Sequence, residues 1–142
     1  MIVGKAFFDS NVLVYATTGS ADTVKQTRAL KLFNQYTISG QAVFSTQVVQ
    51  EFYAVSKRLR ADRQKLLEAV DLLLNLPLVI NGPAQILSAL ALEDRYQISF
   101  WDALILAAAE SAGAEVLFTE DLNDGQQYGS VLVRNPFVGS ET

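Results

Sequence analysis

Five short apolar runs alternate along the chain with longer stretches of helical spacing, and this alternation limits the possible folds more than any other feature. The runs are "KAFF" before Asp9, "AVFS" at 42–45, "LVI" at 78–80, "EVLFT" at 115–119 and "VLVR" at 131–134. Between and around them, residues 22–37, 46–59, 62–75, 83–95 and 100–112 repeat apolar positions at three and four, with Pro77, Gly82, Pro83 and Gly113 as breaks. Strand-length runs alternating with helices predict an α/β domain, its central sheet mainly parallel and flanked by helices on both sides. At 142 residues, half of them hydrophobic, the chain is expected to form one domain, 1–142, with a core of its own. The tail after "RNPF" reads as a sheet edge followed by a frayed end.

Two absences narrow the chemistry. The chain has no cysteine and no histidine, which excludes a Ser-His-Asp or Cys-His triad within one chain and zinc sites built from His and Cys. Catalysis must therefore run on carboxylates, amides, hydroxyls, Lys or Arg. The formal charge of −4 argues against strong nonspecific nucleic-acid binding through overall charge. The basic residues are nonetheless clustered: Lys57, Arg58, Arg60, Arg63 and Lys65 fall within "SKRLRADRQK". A solvated helix junction and a phosphate-contacting rim explain this strip equally well. "MIVGKAFFD" is too short an apolar run for a signal peptide, and "ALILAAA" at 103–109 is far too short to cross a bilayer. The expected protein is soluble, cytoplasmic and without a membrane partner.

The acids stand at particular places in this pattern. Asp9 follows "AFF" and Asp121 follows "VLFTE", so both lie just past a strand's carboxyl end, where open α/β sheets bind ligands. Asp9 also suits a helix N-cap for the segment starting near Asn11. Glu51 lies in a helix opened by Ser45 or Thr46, and no cation stands three or four residues away to make it a routine ion pair. Asp102 in "QISFWDALILAAAE" fits a capping box with Ser99, yet its helix is apolar all round, which predicts a buried carboxylate in need of compensation. "FTEDLNDG" adds Thr119, Glu120 and Asp124, in what is equally a plain turn sequence.

If Asp9, Glu51, Asp102 and Asp121 converge at one sheet edge, their charges repel, and either protons or a cation must relieve them. An oxygen-only donor set favours Mg²⁺ or Mn²⁺, and such an ion bound by few carboxylates takes its remaining contacts from waters and substrate phosphate oxygens. A phosphate ester is the natural substrate.

Taken in order, "FFDSNVLVYA", "STQVVQEFYA", "SFWDALILAAA" and "LFTEDLNDG" with "VLVRNPF" behind resemble a PIN-domain ribonuclease, and most of all the VapC-like toxins of type II toxin-antitoxin modules. The resemblance spans essentially the whole chain. It implies a metal-dependent endoribonuclease that hydrolyses RNA with an activated water, leaving 5′-phosphate and 3′-hydroxyl ends. On the same basis Asp9, Asp102 and Asp121 would hold the metal and Glu51 would orient the water. Asn11 would help orient the first acid, and Thr119 matches the hydroxyl residue at the end of the fourth strand. Many relatives carry Asn and Asp where this chain has Asp121 and Asp124, so Asp121 is the favoured fourth acid and Asp124 the alternative. RNA loops are the implied substrate, with Lys57, Arg58 and Arg60 as phosphate contacts. A cognate antitoxin protein and a homodimer are the implied partners, served by apolar residues along 22–37 and 46–59.

Two other readings stand beside this one. A catalytically silent PIN-like RNA-binding or scaffold module would keep the fold without the reaction. A phosphatase or phosphoacceptor domain would use Asp9 as nucleophile, but the haloacid-dehalogenase type wants a second Asp where Asn11 stands, and a receiver domain wants a lysine at a late strand end.

Overall fold

Residues 4–17 and 22–138 are described by a computed structural model of the chain. Its elements are β1 (Lys5–Phe8), α1 (Ser10–Thr17), α2 (Thr23–Ile38), β2 (Ala42–Ser45), α3 (Thr46–Arg58), α4 (Arg63–Leu74), β3 (Leu78–Val79), α5 (Pro83–Tyr96), α6 (Phe100–Ser111), β4 (Ala114–Phe118), β5 (Gln127–Tyr128) and β6 (Val131–Arg134). They build one sheet in the order β3-β2-β1-β4-β6-β5, parallel throughout except for the terminal β5–β6 hairpin.

Side chains alternate between faces along a strand, and Ala6, Phe7 and Phe8 are all fully buried, so both faces of the sheet are covered. One face is aromatic. Phe8 lies level with Phe118 on one neighbouring strand and beside Phe44 on the other, with ring centroids 5.3 and 5.9 Å away. Phe33 and Tyr36 of α2 close over Phe8 edge-on, at 6.2 and 5.9 Å.

The apolar helix α6 is sandwiched. Residues Ala103 to Ala109 are buried without a break. Ile105, Leu106, Ala108 and Ala109 join the main core, while Ala103, Leu104 and Ala107 pack with Ala89 of α5. Alanine on both sides lets two layers approach one helix closely, which explains an apolar pattern with no polar face.

Chain order places the site. From the central β1 the chain moves outward to β2 and β3, then returns to add β4 on the other side of β1. The order therefore reverses between β1 and β4. Their carboxyl ends flank a topological switch point, the crevice where doubly wound sheets bind ligands.

Several expected boundaries move by small amounts. β4 starts and stops one residue earlier than 115–119, leaving Thr119 just beyond it, and β3 ends at Val79. Asp22 caps α2, its carboxylate accepting from the amides of Val24 and Lys25, so that helix starts at Thr23. Ser45, and not Thr46, caps α3, accepting from the Val48 amide. The expected frayed end beyond Val138 and the first three residues lie outside the described residues. No helix among the described residues is long and apolar enough to cross a membrane.

Candidate active site

Asp9 is the first residue past β1 and is only 5% exposed. Its Oδ2 accepts a hydrogen bond from the Thr119 hydroxyl at 2.8 Å, and its Oδ1 accepts from the Ser10 amide at 2.7 Å. The second bond comes only from the next residue, so the Asp9 carboxylate does not accept from the deeper amides of α1 as an ordinary N-cap would. Burial pushes its pKa up to about 7; the Thr119 and Ser10 bonds oppose that shift, and the charges of Asp121 and Glu51 add to it. Asp9 is thus a carboxyl group that a cation nearby would hold in its charged form.

Thr119 joins the strands at the switch point. It is fully buried, the first residue past β4, and its amide donates to the Arg134 carbonyl at 3.2 Å. Its hydroxyl donates to Asp9 and accepts from the Asp121 amide at 3.1 Å and from Asn11 Nδ2 at 3.5 Å. Asn11 Nδ2 also donates to Asp121 Oδ2 at 3.1 Å. Asn11 therefore touches Asp121 directly and Asp9 only through Thr119. Asp121 is exposed as a residue, but surrounding protein desolvates its carboxyl enough to raise the pKa. The charges of Asp102 and Glu120 raise it further, against the Asn11 bond.

Glu51 projects from α3 and is half-buried. Its local partner is uncharged: Gln47, one turn earlier, donates from Nε2 to Glu51 Oε2 and to the Trp101 carbonyl, both at 3.2 Å. Ser10 donates from Oγ to Glu51 Oε1 across a long 3.4 Å. Asp102 is not buried as its apolar helix implied, but half-exposed in the first turn of α6, beside Trp101 at 62% exposure. That turn precedes the buried stretch starting at Ala103. The capping half of the expectation does hold, since Ser99 Oγ accepts from the Asp102 amide at 3.1 Å.

The loop after β4 separates its two candidate acids. Asp121 faces Asn11, whereas Asp124 is exposed and accepts the Asn135 amide on Oδ1 at 2.8 Å, tying the loop to the segment after β6. Asp124→Ala is expected to lower stability by about 1 kcal/mol through that amide, seen as a fall in Tm. Asp121→Asn should instead weaken divalent-ion binding in a titration. Lys57, Arg58 and Arg60 are exposed, Arg63 donates to the Tyr53 hydroxyl at 3.1 Å, and the Lys57 ammonium lies 6.0 Å from the Tyr53 ring centre. Part of the strip is therefore engaged with Tyr53 of α3. A groove of about 340 Å³ connects Ser10, Asn11 and Asp121 with Val55 and Leu59, next to this strip.

Ser10 and Gln47 were not among the residues singled out from sequence. Gln47 carried a signal in its spacing, four residues before Glu51, whereas Ser10 could be found only once α1 and α3 were placed side by side. Glu120 was noticed but given no role; it is paired with Lys25 at 3.1 Å and accepts from the Tyr15 hydroxyl at 3.0 Å.

Comparison with known proteins agrees with this architecture. Among solved structures the chain is similar to a toxin-antitoxin complex from Klebsiella pneumoniae, at 20% identity and a TM-score of 0.71, covering 94% of this chain and 98% of that one. It is also similar to VapC20 of Mycobacterium tuberculosis, a sarcin-ricin loop cleaving toxin, at 18% identity, TM-score 0.68 and coverage of 82% and 92%. VapBC2 from Rickettsia felis, bound to a DNA fragment from its promoter, matches at 16% identity, TM-score 0.66 and coverage of 92% and 97%. At these identities the likeness carries the fold alone. No curated protein sequence matches the chain. Residues 6–124, from β1 to the loop past β4, match the family model of the PIN domain. Spanning both sides of the switch point and all four acid-bearing segments, that match establishes that the chain belongs to the PIN domain family.

Proposed function

We propose that the chain is a divalent-metal-dependent endoribonuclease of the VapC type, the toxin of a toxin-antitoxin pair. The observation that carries this reading is the buried Asp9 at the switch point, with Glu51 and Asp121 near enough for their charges to raise its pKa. The fold family supports a nuclease, and the similar solved proteins include a toxin-antitoxin complex and a toxin that cleaves the sarcin-ricin loop.

The residues fit a hard divalent ion. Every candidate donor is an oxygen, and two buried amide oxygens beside the acids, Asn11 Oδ1 and Gln47 Oε1, have no hydrogen-bond partner among the described residues. Among the described residues no three acids close into a ready-made cage, an arrangement suited to an ion that keeps several waters and uses only one or two carboxylates directly. Asp9 and Asp121 would hold it, with Asp102 at the rim. Mg²⁺ or Mn²⁺ would supply Lewis acidity at the scissile phosphate and a lowered pKa for water. Thr119 and Ser10 fix the two oxygens of Asp9, and Asn11 fixes Asp121. The weak bonds to Glu51 keep its carboxylate in place with lone pairs available, so it is the group that accepts a proton from the attacking water.

Purified protein should cut a pool of structured RNA in Mg²⁺ or Mn²⁺ and not in EDTA, leaving 5′-phosphate ends. Folded, antitoxin-free protein that leaves every RNA intact in both metals would overturn the proposal. Replacing Lys57, Arg58 and Arg60 by Gln is expected to lower the slope of log affinity against log salt by about 2, at roughly 0.7 per phosphate contact. An unchanged slope would remove the strip from the RNA path. The exposed apolar residues available to an antitoxin or a second copy extend beyond the two helices expected. α3 buries Val48, Val49 and Phe52, while Leu67, Leu72 and Leu74 of α4 and Ile86, Leu87 and Leu90 of α5 are exposed alongside Val24 and Leu30 of α2.

A further inference from the structure

A second pocket lies beside the catalytic crevice and has the opposite charge. It encloses about 370 Å³ between α2 and the carboxyl end of β6, lined by Arg28, Lys31 and Arg134 together with Leu32, Phe118 and Pro136. Among the described residues no acid lines it, although acids outnumber bases in the chain, fifteen to eleven. Neither the Lys31 ammonium nor the Arg134 guanidinium has an ion-pair or hydrogen-bond partner among the described residues. The basic cluster noticed in the sequence lies elsewhere, on the last turn of α3 and the start of α4.

Position links this pocket to the acids. Phe118, in its wall, immediately precedes Thr119, which holds Asp9. Arg134 lies across the sheet from Phe118, and its carbonyl accepts the Thr119 amide. The acidic crevice, at the ends of β1 and β4, and the basic pocket, at the ends of β4 and β6, thus share β4 and open from the consecutive residues Thr119 and Phe118 at its end. A polyanion whose scissile phosphate lies at Asp9 passes from a site that needs a cation to one that supplies them.

We propose that this pocket is a nucleotide subsite for single-stranded RNA, seating one nucleotide next to the scissile bond. Its phosphate lies against Lys31 and Arg134, and its base lies against the apolar wall of Leu32, Phe118 and Pro136. Two amide side chains, Gln35 and Asn135, also line it; Asn135 Oδ1 accepts the Phe137 amide, and Gln35 is the group able to read a base edge. The apolar wall favours an unpaired base, which can leave its stack. The inference rests on the proposed ribonuclease activity and deepens it.

The test uses the full chain with a fluorescein-labelled single-stranded oligoribonucleotide that the wild type cleaves, and compares Lys31→Gln/Arg134→Gln with wild type. Both side chains are exposed, so the variant should fold. KM should rise about tenfold with kcat within about twofold, and the salt slope of binding should fall by about 1.4, for two lost single-strand phosphate contacts. Lys5→Gln/Arg95→Gln, at the amino end of β1 and on α5, removes the same two charges away from the pocket and controls for net charge. A second series keeps the wild-type protein and places one abasic ribose at successive positions around the cut. One position should raise KM more than its neighbours. KM and slope equal to wild type, or an abasic series with no preferred position, would overturn the subsite while leaving the nuclease assignment standing. Wild-type protein that neither binds nor cleaves RNA would overturn the nuclease assignment itself.

Discussion

Asp9→Asn is expected to abolish metal-dependent RNA cleavage, lowering kcat by about three orders of magnitude or more, with the fold retained. Asparagine keeps the shape and one oxygen, which can accept from the Ser10 amide while its NH2 faces the Thr119 hydroxyl, and removes the carboxylate that is both buried and central among the described residues. The same substitution should change how stability depends on pH. In the metal-free fold Asp9 titrates at about 7, against 3.8 for an ordinary aspartate. Between those values the native state holds a proton that the unfolded chain has released, so wild-type stability falls as pH rises from about 4 to 7. Asparagine has no such proton, and this contribution vanishes. Tm recorded at pH 5 and pH 8 in EDTA should therefore drop more for wild type than for the variant. Adding Mg²⁺ should raise the wild-type Tm more at pH 8 than at pH 5, because the ion binds the carboxylate and competes with its proton. Equal Mg²⁺ effects at both pH values would show that Asp9 is not a ligand.

Thr119→Val is expected to reduce divalent-ion affinity or cleavage about 10- to 100-fold, although Thr119 would touch neither metal nor substrate. The valine keeps the volume but takes away the donor to Asp9 Oδ2 and the acceptor for the Asp121 amide. Buried groups left without partners should also lower stability by about 1–3 kcal/mol. Thr119→Ser restores the hydroxyl and should recover most of the ion affinity, while leaving a small cavity. Ion affinity is the deciding quantity: if valine lowers Tm and leaves the metal titration unchanged, Thr119 serves the core and not the acids.

The strands were legible where the sheet is most buried. "KAFF", "AVFS" and "VLVR" carry strands over the expected residues because a parallel strand covered on both faces must be apolar at every position. β5 has no such signature, since Gln127–Tyr128 is a two-residue edge strand held by its turn to β6. α1 was visible only as a segment that Asp9 might start, its eight residues "SNVLVYAT" being too few for a helical period to stand out from an apolar run. Among the acids, position relative to a strand end was the reliable guide, and it placed Asp9 and Asp121 at the switch point. The expectation for Asp102 went astray because periodicity describes a whole helix, whereas its first turn can extend past the core that buries the remainder. The hydrogen bonds of Ser10, Asn11 and Gln47 depend on side chains from separate elements, which no local pattern encodes.

The bond between Thr119 and Asp9 joins residues 110 positions apart, and this bears on when the protein acquires its chemistry. During synthesis Asp9 is made well before β4, and β1 lacks one of its two neighbouring strands until β4 has been made. Until then Asp9 has no Thr119, and no Asp121 stands beside it. The crevice is assembled only when β4 and the loop after it are in place, so a chain interrupted before that point carries the first acid without the site it belongs to. For a protein proposed to cut RNA, synthesis of that late segment is itself the step that arms it.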